Sequence, residues 1–363
     1  MCGLHISKGP VFTVFEERCR ENIRRMAAKA ASQGVIFRPH FKTHASVTIG
    51  EYYRQEGITR ITVSSVSMAE YFAAAGWNDI TIAFPFYAGI AERINALAEK
   101  IRLNIIVSTA GAAEQAAGLL RCPINAFIET DTGYPRSGIK ADDYETIRLA
   151  YSWLKKNPRI EFRGFLAHFG HSYAAKSKEQ VSEIWHTGIA LLKKLKQQYP
   201  GNMISAGDTT CCSMVADLSG ADEIRPGNFV FYDLMQVQIE SCKPENVAVA
   251  VYCPVVAIYP HEEKIVLHAG AVHLSKDTAE INGKRVYGQL GIVNKDGFPD
   301  YLDNCYISSL SQEHAVVHVP PKHMPLFREG MTVAIMPVHS CLTADAMGGG
   351  FVLPSMAALG MMR

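Results

Sequence analysis

Residues 161–173 read Glu-Phe-Arg-Gly-Phe-Leu-Ala-His-Phe-Gly-His-Ser-Tyr, and a helical pattern follows at 178–199. The first stretch opens as an apolar run of strand length. The second sets Val181, Ile184, Trp185, Ile189, Leu191, Leu192 and Leu195 on one stripe, with lysines opposite. The same pairing of short apolar run and helical segment recurs on both sides. Runs lie at 35–41, 60–65, 79–86, 103–108, 124–129, 161–168, 203–206 and 223–231, with helical segments at 68–76, 90–100 and 142–157. Repetition every 25–30 residues, roughly, is the βαβ signature of a parallel sheet. Eight runs favour a closed (β/α)8 barrel over an open sheet.

Beyond residue 236 the pattern changes. Stretches 247–259, 264–274, 286–293, 306–319 and 331–338 are strand-like, and turns such as Asn282-Gly283 and Asp296-Gly297 separate them. The expected organisation is a barrel over 16–235 and a mostly β domain over 236–363. A strand at 11–15 precedes the first helix, so residues 1–15 are free to pair with either domain.

The 363 residues hold 36 Lys and Arg against 35 Asp and Glu, which argues against electrostatic capture of nucleic acid or anionic lipid. The longest apolar stretch, 247–260, is too short and proline-interrupted to span a bilayer. Met1-Cys2-Gly3-Leu4-His5 does not read as a signal peptide. Nine scattered cysteines without a CxxC framework fit free thiols in a reducing compartment, so a cytoplasmic protein is expected.

Catalytic groups of a parallel barrel sit where strands end and loops begin. The first run ends in Arg38-Pro39-His40-Phe41-Lys42-Thr43-His44. Read as a strand, it turns Arg38, His40 and Lys42 to one side and Phe41 to the other. An isolated lysine at a strand end is ordinarily solvated. A lysine turned inward loses charge by desolvation, and a neutral amine forms Schiff bases.

The segment 38–44 resembles the cofactor-lysine motif of the D-serine dehydratase and D-threonine aldolase family, fold-type III pyridoxal-phosphate enzymes with an alanine-racemase-like barrel. Further segments resemble that family in the same order: Asp131-Thr132-Gly133-Tyr134-Pro135-Arg136-Ser137-Gly138, His168 with Gly170-His171-Ser172-Tyr173, 225–233, and Ser311-Gln312-Glu313-His314. Each is weak alone; together they cover nearly the whole chain. The resemblance implies a barrel followed by a β domain. It places pyridoxal phosphate on Lys42, Arg136 near the phenolate oxygen, Tyr173 near the pyridine, and His40, His168 and Tyr232 around the cofactor. Residues 205–210 (Ser-Ala-Gly-Asp-Thr-Thr) occupy the family's phosphate loop, where Gly207 and Thr209 are the expected contacts. Asp208 and Thr210 depart from the usual glycine and proline, and a carboxylate beside a phosphate repels it unless it turns away.

A second constellation is His339-Ser340-Cys341. Read as a strand, it shares His339 and Cys341 on one face, and imidazole with thiolate suits zinc. A lone His-x-Cys is a weak signal. Residues 337–344 resemble the metal segment of zinc-dependent D-serine dehydratases. The related aldolases typically carry aspartate at the position of Cys341, suited to manganese. Cys341 therefore tips the expectation toward zinc, with manganese as the alternative, and toward dehydration.

The expected activity is a pyridoxal-phosphate lyase acting on a small D-β-hydroxy amino acid, most simply D-serine to pyruvate and ammonia, with Lys42 as the catalytic amine. The alternatives are retro-aldol cleavage of a D-threonine-like substrate with His171 as base, an amino-acid racemase, and a non-catalytic pyridoxal-phosphate carrier. The resemblance also implies a homodimer.

Overall fold

The computed structural model describes residues 9–362; the first eight residues of the opening stretch lie outside it. The chain divides into two compact units, one formed by 23–229 and the other by 1–22 with 230–363.

In the first unit eight parallel strands follow one another around a ring: Ile36–Phe37, Ile61–Val63, Asp79–Pro85, Arg102–Val107, Ile124–Asp131, Ile160–Leu166, Met203–Ala206 and Glu223–Ile224. The last strand pairs with the first, Glu223 beside Ile36. The first reaches the second through a bridge of His40 to Thr62 and a hydrogen bond from the Thr62 N–H to the Pro39 carbonyl at 2.9 Å. The barrel is thereby closed. Helices on its outside bury apolar stripes as expected: Lys178–Gln198 buries Val181, Trp185, Ile189, Leu192 and Leu195. Ser177 starts that helix by accepting the Gln180 N–H.

Close approach of two strands dictates one glycine. Gly164 has φ +134°, and a Cβ there would lie 2.0 Å from the Met203 carbonyl oxygen. Only a residue without a side chain fits.

Three runs are shorter than expected, and 60–65 holds strand only over Ile61–Val63. Run 35–41 is a strand only over Ile36–Phe37, and Phe41–Thr43 forms a 3-10 turn. Pro39 has no N–H to give a ladder, and the His40 ring accepts the Lys42 N–H at 3.3 Å, which folds the chain over. Alternation therefore does not set the facing of Arg38, His40 and Lys42. The run at 223–231 likewise holds strand only over Glu223–Ile224.

The second unit is built on a nine-stranded sheet. Strands Val249–Tyr259, Lys264–His268, His314–His318, Pro299–Leu310, Gly288–Val293 and Thr332–Pro337 pair in that order and back to the first, closing a six-stranded ring. Val11–Phe15 pairs antiparallel with Val249–Tyr259 and parallel with Gly349–Leu353, so the opening strand belongs to this unit. Among the described residues no helix is long and apolar enough to cross a membrane.

Inside the barrel Arg38 lies between two carboxylates, Glu223 and Asp79, each at 2.6 Å. Its exposure is only 5 %. Burial works against the charge, but the two acids outweigh it and raise the guanidinium pKa above its ordinary value. Replacing Arg38 by Met strands Glu223 and Asp79 without their cation. We expect a loss of about 3–5 kcal/mol in barrel stability. Urea unfolding followed by tryptophan fluorescence measures it, since Trp77, Trp153 and Trp185 all lie in this unit. A loss under about 1 kcal/mol would mean that solvent already screens the cluster.

Candidate active site

The 3-10 turn Phe41–Thr43 carries Lys42 out at the C-terminal end of the first strand, exposed, while Phe41, Thr43 and His44 are buried behind it. Phe41 packs edge-on against Phe72 and Trp77, each at 5.0 Å between centroids, and against His44 at 4.5 Å. Apolar packing thus anchors one side of the turn and leaves the amine on the other. The segment after the last strand closes over it: the Pro226 carbonyl accepts the His40 N–H at 2.9 Å, and a Cβ on Gly227 would come within 3.0 Å of the His40 Cβ.

Around Lys42 the barrel mouth collects basic groups. Burial pushes the His40 imidazole pKa well below its ordinary value, with the charges of Lys42, Arg225, His168 and Arg136 adding to the effect. Burial pushes His168 down to about 3, helped by Arg136, Lys42 and Arg225. These four predicted residues therefore do come together, and Arg225 joins them. The Arg225 guanidinium is buried and donates to the Ser205 hydroxyl and the Ala167 carbonyl; burial lowers it to about 10. Three cations facing two uncharged imidazoles form a pocket that favours an anion.

Aromatic rings flank this pocket. Tyr134 stacks on His171 at 6.3 Å and meets His168 edge-on at 5.7 Å; Tyr173 lies 6.0 Å from His168. The Arg136 guanidinium sits 5.7 Å from the Tyr134 ring. Burial keeps the half-buried His171 below its ordinary pKa, against the pull of Asp131. His171 and Tyr173 ride on the turn Gly170–Ala174.

That turn is tied to the predicted phosphate loop by Asp208. Its Oδ1 accepts the Ser172 hydroxyl at 2.7 Å and the Cys211 N–H at 3.0 Å, capping the helix Thr209–Met214. Gly207 has φ +104°, and a Cβ there would lie 2.8 Å from the Cys212 sulfur. The Thr209 hydroxyl accepts the Phe229 N–H at 3.1 Å.

The second unit holds the remaining predicted residues. Tyr232 is buried, with a left-handed backbone at φ 50°. The strand preceding His339 ends at Pro337, and Ser340–Met347 is a helix, so strand alternation does not pair His339 with Cys341. The backbone carbonyl and N–H groups at a helix start turn the chain instead: His339 is the N-cap residue, and its side chain is hydrogen-bonded to Cys341. The His339 Nδ1 meets the Asp277 carboxylate at 2.6 Å. Burial works to lower this imidazole, but Cys341, Asp233 and Asp277 together raise it to about 9. A carboxylate on one ring nitrogen is the usual support for a metal-binding histidine. Asp233 accepts the Ser340 N–H at 3.0 Å and fixes the helix start. Imidazole and thiol are suitable donors for zinc, yet among the described residues no three His, Cys, Asp or Glu side chains converge as a metal set. The family-like segment 311–314 forms the turn before strand His314–His318, with Glu313 at 3.7 Å from His273 and 3.9 Å from His268.

Sequence reasoning missed Asp277, which stands 62 residues from His339 in a polar turn with no pattern of its own. Arg225 and Tyr134 lie within the family-like segments 225–233 and 131–138, neither of which assigns them a role.

Residues 16–234 match the family model described as alanine racemase, N-terminal domain, and 248–353 match the one described as a putative serine dehydratase domain. The chain is 30% identical to D-serine dehydratase of Dictyostelium discoideum, over 92% of this chain and 90% of that protein. It is 28% identical to D-threo-3-hydroxyaspartate dehydratase of Delftia sp., over 92% and 91%. The solved structure of the Delftia sp. HT23 enzyme matches with a TM-score of 0.90 at 25% identity, covering 99% of this chain and 98% of that one; a variant of it has been solved in the metal-free form.

His44 offers a test of the packing behind Lys42. It is fully buried, its Nδ1 accepts the Ser46 N–H at 3.1 Å, and burial lowers its pKa to about 3. The unfolded chain takes up this proton near pH 6.5 and the folded chain does not, so stability falls as pH drops below 6.5. His44→Phe removes that contribution. Its stability should fall less steeply between pH 6.5 and 3, by up to about 1.4 kcal/mol per pH unit. Equal slopes in urea titrations of the two proteins would place a charged His44 in the folded state.

Proposed function

Because the chain belongs to the alanine racemase N-terminal domain family and matches a putative serine dehydratase domain over 248–353, we propose that it dehydrates a small D-β-hydroxy amino acid, D-serine foremost, to a keto acid and ammonia. It is a pyridoxal-phosphate lyase of D-hydroxy amino acids. The observation that carries the reading is the barrel mouth, where Lys42, Arg136 and Arg225 face the uncharged His40 and His168. A phosphorylated, phenolate-bearing aldehyde would find there the cations and the exposed Lys42 amine that its chemistry requires.

Bound pyridoxal phosphate supplies an electron sink for charge developing at the substrate Cα. In our reading Lys42 Nζ would hold the cofactor and, when free, would take the proton from the substrate Cα. Gly207 and Thr209 would hold the phosphate through the loop. Arg136 would favour an ionised phenolate oxygen, and Tyr173, His40, His168 and Tyr232 would be the remaining residues that hold the cofactor. His171, neutral at ordinary pH, is the base a retro-aldol reaction would need.

His339 and Cys341 are the residues that would hold a zinc ion, with Asp277 orienting the imidazole. Zinc supplies a Lewis acid that makes a hydroxyl a better leaving group. Manganese is the alternative metal. We further propose a homodimer, testable by light scattering. A cytoplasmic site is supported by the eight described cysteines, none of which forms a disulfide.

Lys42→Ala should abolish both turnover and the visible absorbance of bound cofactor, and borohydride reduction of the parent should label Lys42 on peptide mapping. Label on another lysine overturns the assignment.

Cys341→Ala should lose zinc by elemental analysis and lose D-serine turnover while keeping the cofactor absorbance. Cys341→Asp should regain some activity with manganese, since oxygen ligands suit it better than thiolate does. A metal-free parent whose turnover survives chelator refutes the zinc proposal. Products from D-serine, D-threonine and D-3-hydroxyaspartate separate the reactions: glycine and an aldehyde would mean aldol cleavage.

A further inference from the structure

The catalytic groups of a barrel gather at the C-terminal ends of its strands, but the opposite end of this one is also built from charged side chains. A cavity there, about 330 Å³ including its solvent-open mouth, draws lining residues from every barrel strand or the residue just before it. Its charged members are Arg38, Arg60, Arg102 and Arg163, with Asp79 and Glu223. Asp79, Arg102 and Glu223 are the first residues of their strands, and Arg60 immediately precedes one. The cavity therefore lies at the barrel floor, away from Lys42.

Both carboxylates are already engaged. Glu223 binds Arg38 through Oε2 and the Ser205 hydroxyl through Oε1, each at 2.6 Å. Asp79 Oδ1 accepts from Arg38 at 2.6 Å and from the Asn104 amide at 3.2 Å. Arg38 is thereby neutralised twice over, and three guanidiniums remain. Arg102 stands 3.9 Å from Asp79 Oδ2 and is 70% exposed. Arg163 pairs at 2.7 Å with Glu161, itself 64% exposed and outside the cavity lining, and its second nitrogen lies 3.3 Å from the Met203 sulfur. Arg60 has no hydrogen bond or ion pair among the described residues, though it is half-buried.

Four guanidiniums against two carboxylates leave an excess of two positive charges around one opening. Guanidinium forks are matched by planar or tetrahedral oxyanions, which accept two N–H donors at once. The enclosed part has room for roughly three water molecules, about the size of one such ion. We propose that the barrel floor is a binding site for a small divalent oxyanion of the phosphate and sulfate class, held by Arg60, Arg102 and Arg163. The site is separate from the cofactor pocket and leaves the Arg38 cluster intact beneath it. Its occupant neutralises the positive charge that the two carboxylates of the lining leave unmatched.

Calorimetric titration of the cofactor-loaded enzyme with inorganic phosphate, at constant ionic strength, tests this; the cofactor's own phosphate fills the barrel mouth and removes that competing site. Saturable binding is expected. Arg60→Gln combined with Arg163→Gln should weaken it by at least about tenfold, with cofactor absorbance unchanged. A sulfate arm and a phosphomonoester arm distinguish the source: binding of both inorganic ions alone marks an inorganic site, and preference for the ester marks a phosphorylated metabolite, either of which supports the proposal. In the unaltered enzyme phosphate should also shield Arg60 and Arg163 from phenylglyoxal, mapped by mass spectrometry. No saturable binding at millimolar phosphate, equal affinity in the double variant, or no shielding of either arginine overturns it.

Discussion

The barrel closes through a strand of only two residues, and the Arg38 guanidinium bridges from it to strands on both sides. The strand Ile36–Phe37 contributes two residues to the ladder, too few to fix a seam by backbone bonds alone. Arg38 follows at once and binds Glu223, the first residue of the neighbouring strand on one side, and Asp79, two strands away on the other. The desolvation cost of three charges is offset only because their geometry is so close. Lys42 stands four residues beyond this clamp, on a turn with its own apolar anchor in Phe41. Placement of the amine thus depends on a charge cluster at the other end of the barrel interior.

A polar thread links the two ends. Glu223 accepts from Ser205, Ser205 accepts from Arg225, and Arg225 acts on the imidazoles of the mouth. Each buried polar group in this thread has a partner, which is the condition under which a polar interior is tolerated. The mouth is not balanced in the same way. Burial, reinforced by the nearby cations, holds His40 and His168 neutral there, and an anionic cofactor would offset the excess positive charge. A neutral imidazole beside that cofactor can accept or donate one hydrogen bond without adding charge.

Much of this was legible in the chain because it rests on local pattern. Apolar runs of strand length alternating with stripes such as Val181 to Leu195 specify the barrel, and the turn to hairpins after residue 236 specifies the second unit. Strand lengths were not legible, because Pro39 and the His40 side chain end the first strand through contacts that hydrophobicity does not register. The closeness of His339 and Cys341 was foreseen for the wrong reason: a helix start brings them together, not a strand face. Asp277 could not have been found, since a lone acid in a polar turn has no periodicity and acquires meaning only in three dimensions.

Asp208 shows how a residue that looks wrong for its position can be right for the fold. A carboxylate in a phosphate-binding loop repels its ligand if it faces the loop's open side. Here the side chain turns into the protein, where burial raises its pKa and one oxygen takes the Ser172 hydroxyl and the Cys211 N–H. The other oxygen, Oδ2, is buried without a hydrogen bond. Leaving such an atom dry costs about 1–3 kcal/mol, unless the group is protonated. What that cost secures is a rigid link between the loop at Gly207 and the turn bearing His171 and Tyr173. The loop and the turn that the proposed cofactor site draws on are then positioned as one piece. Glycine at this position would spare the buried charge but could offer neither the helix cap nor the bond to Ser172.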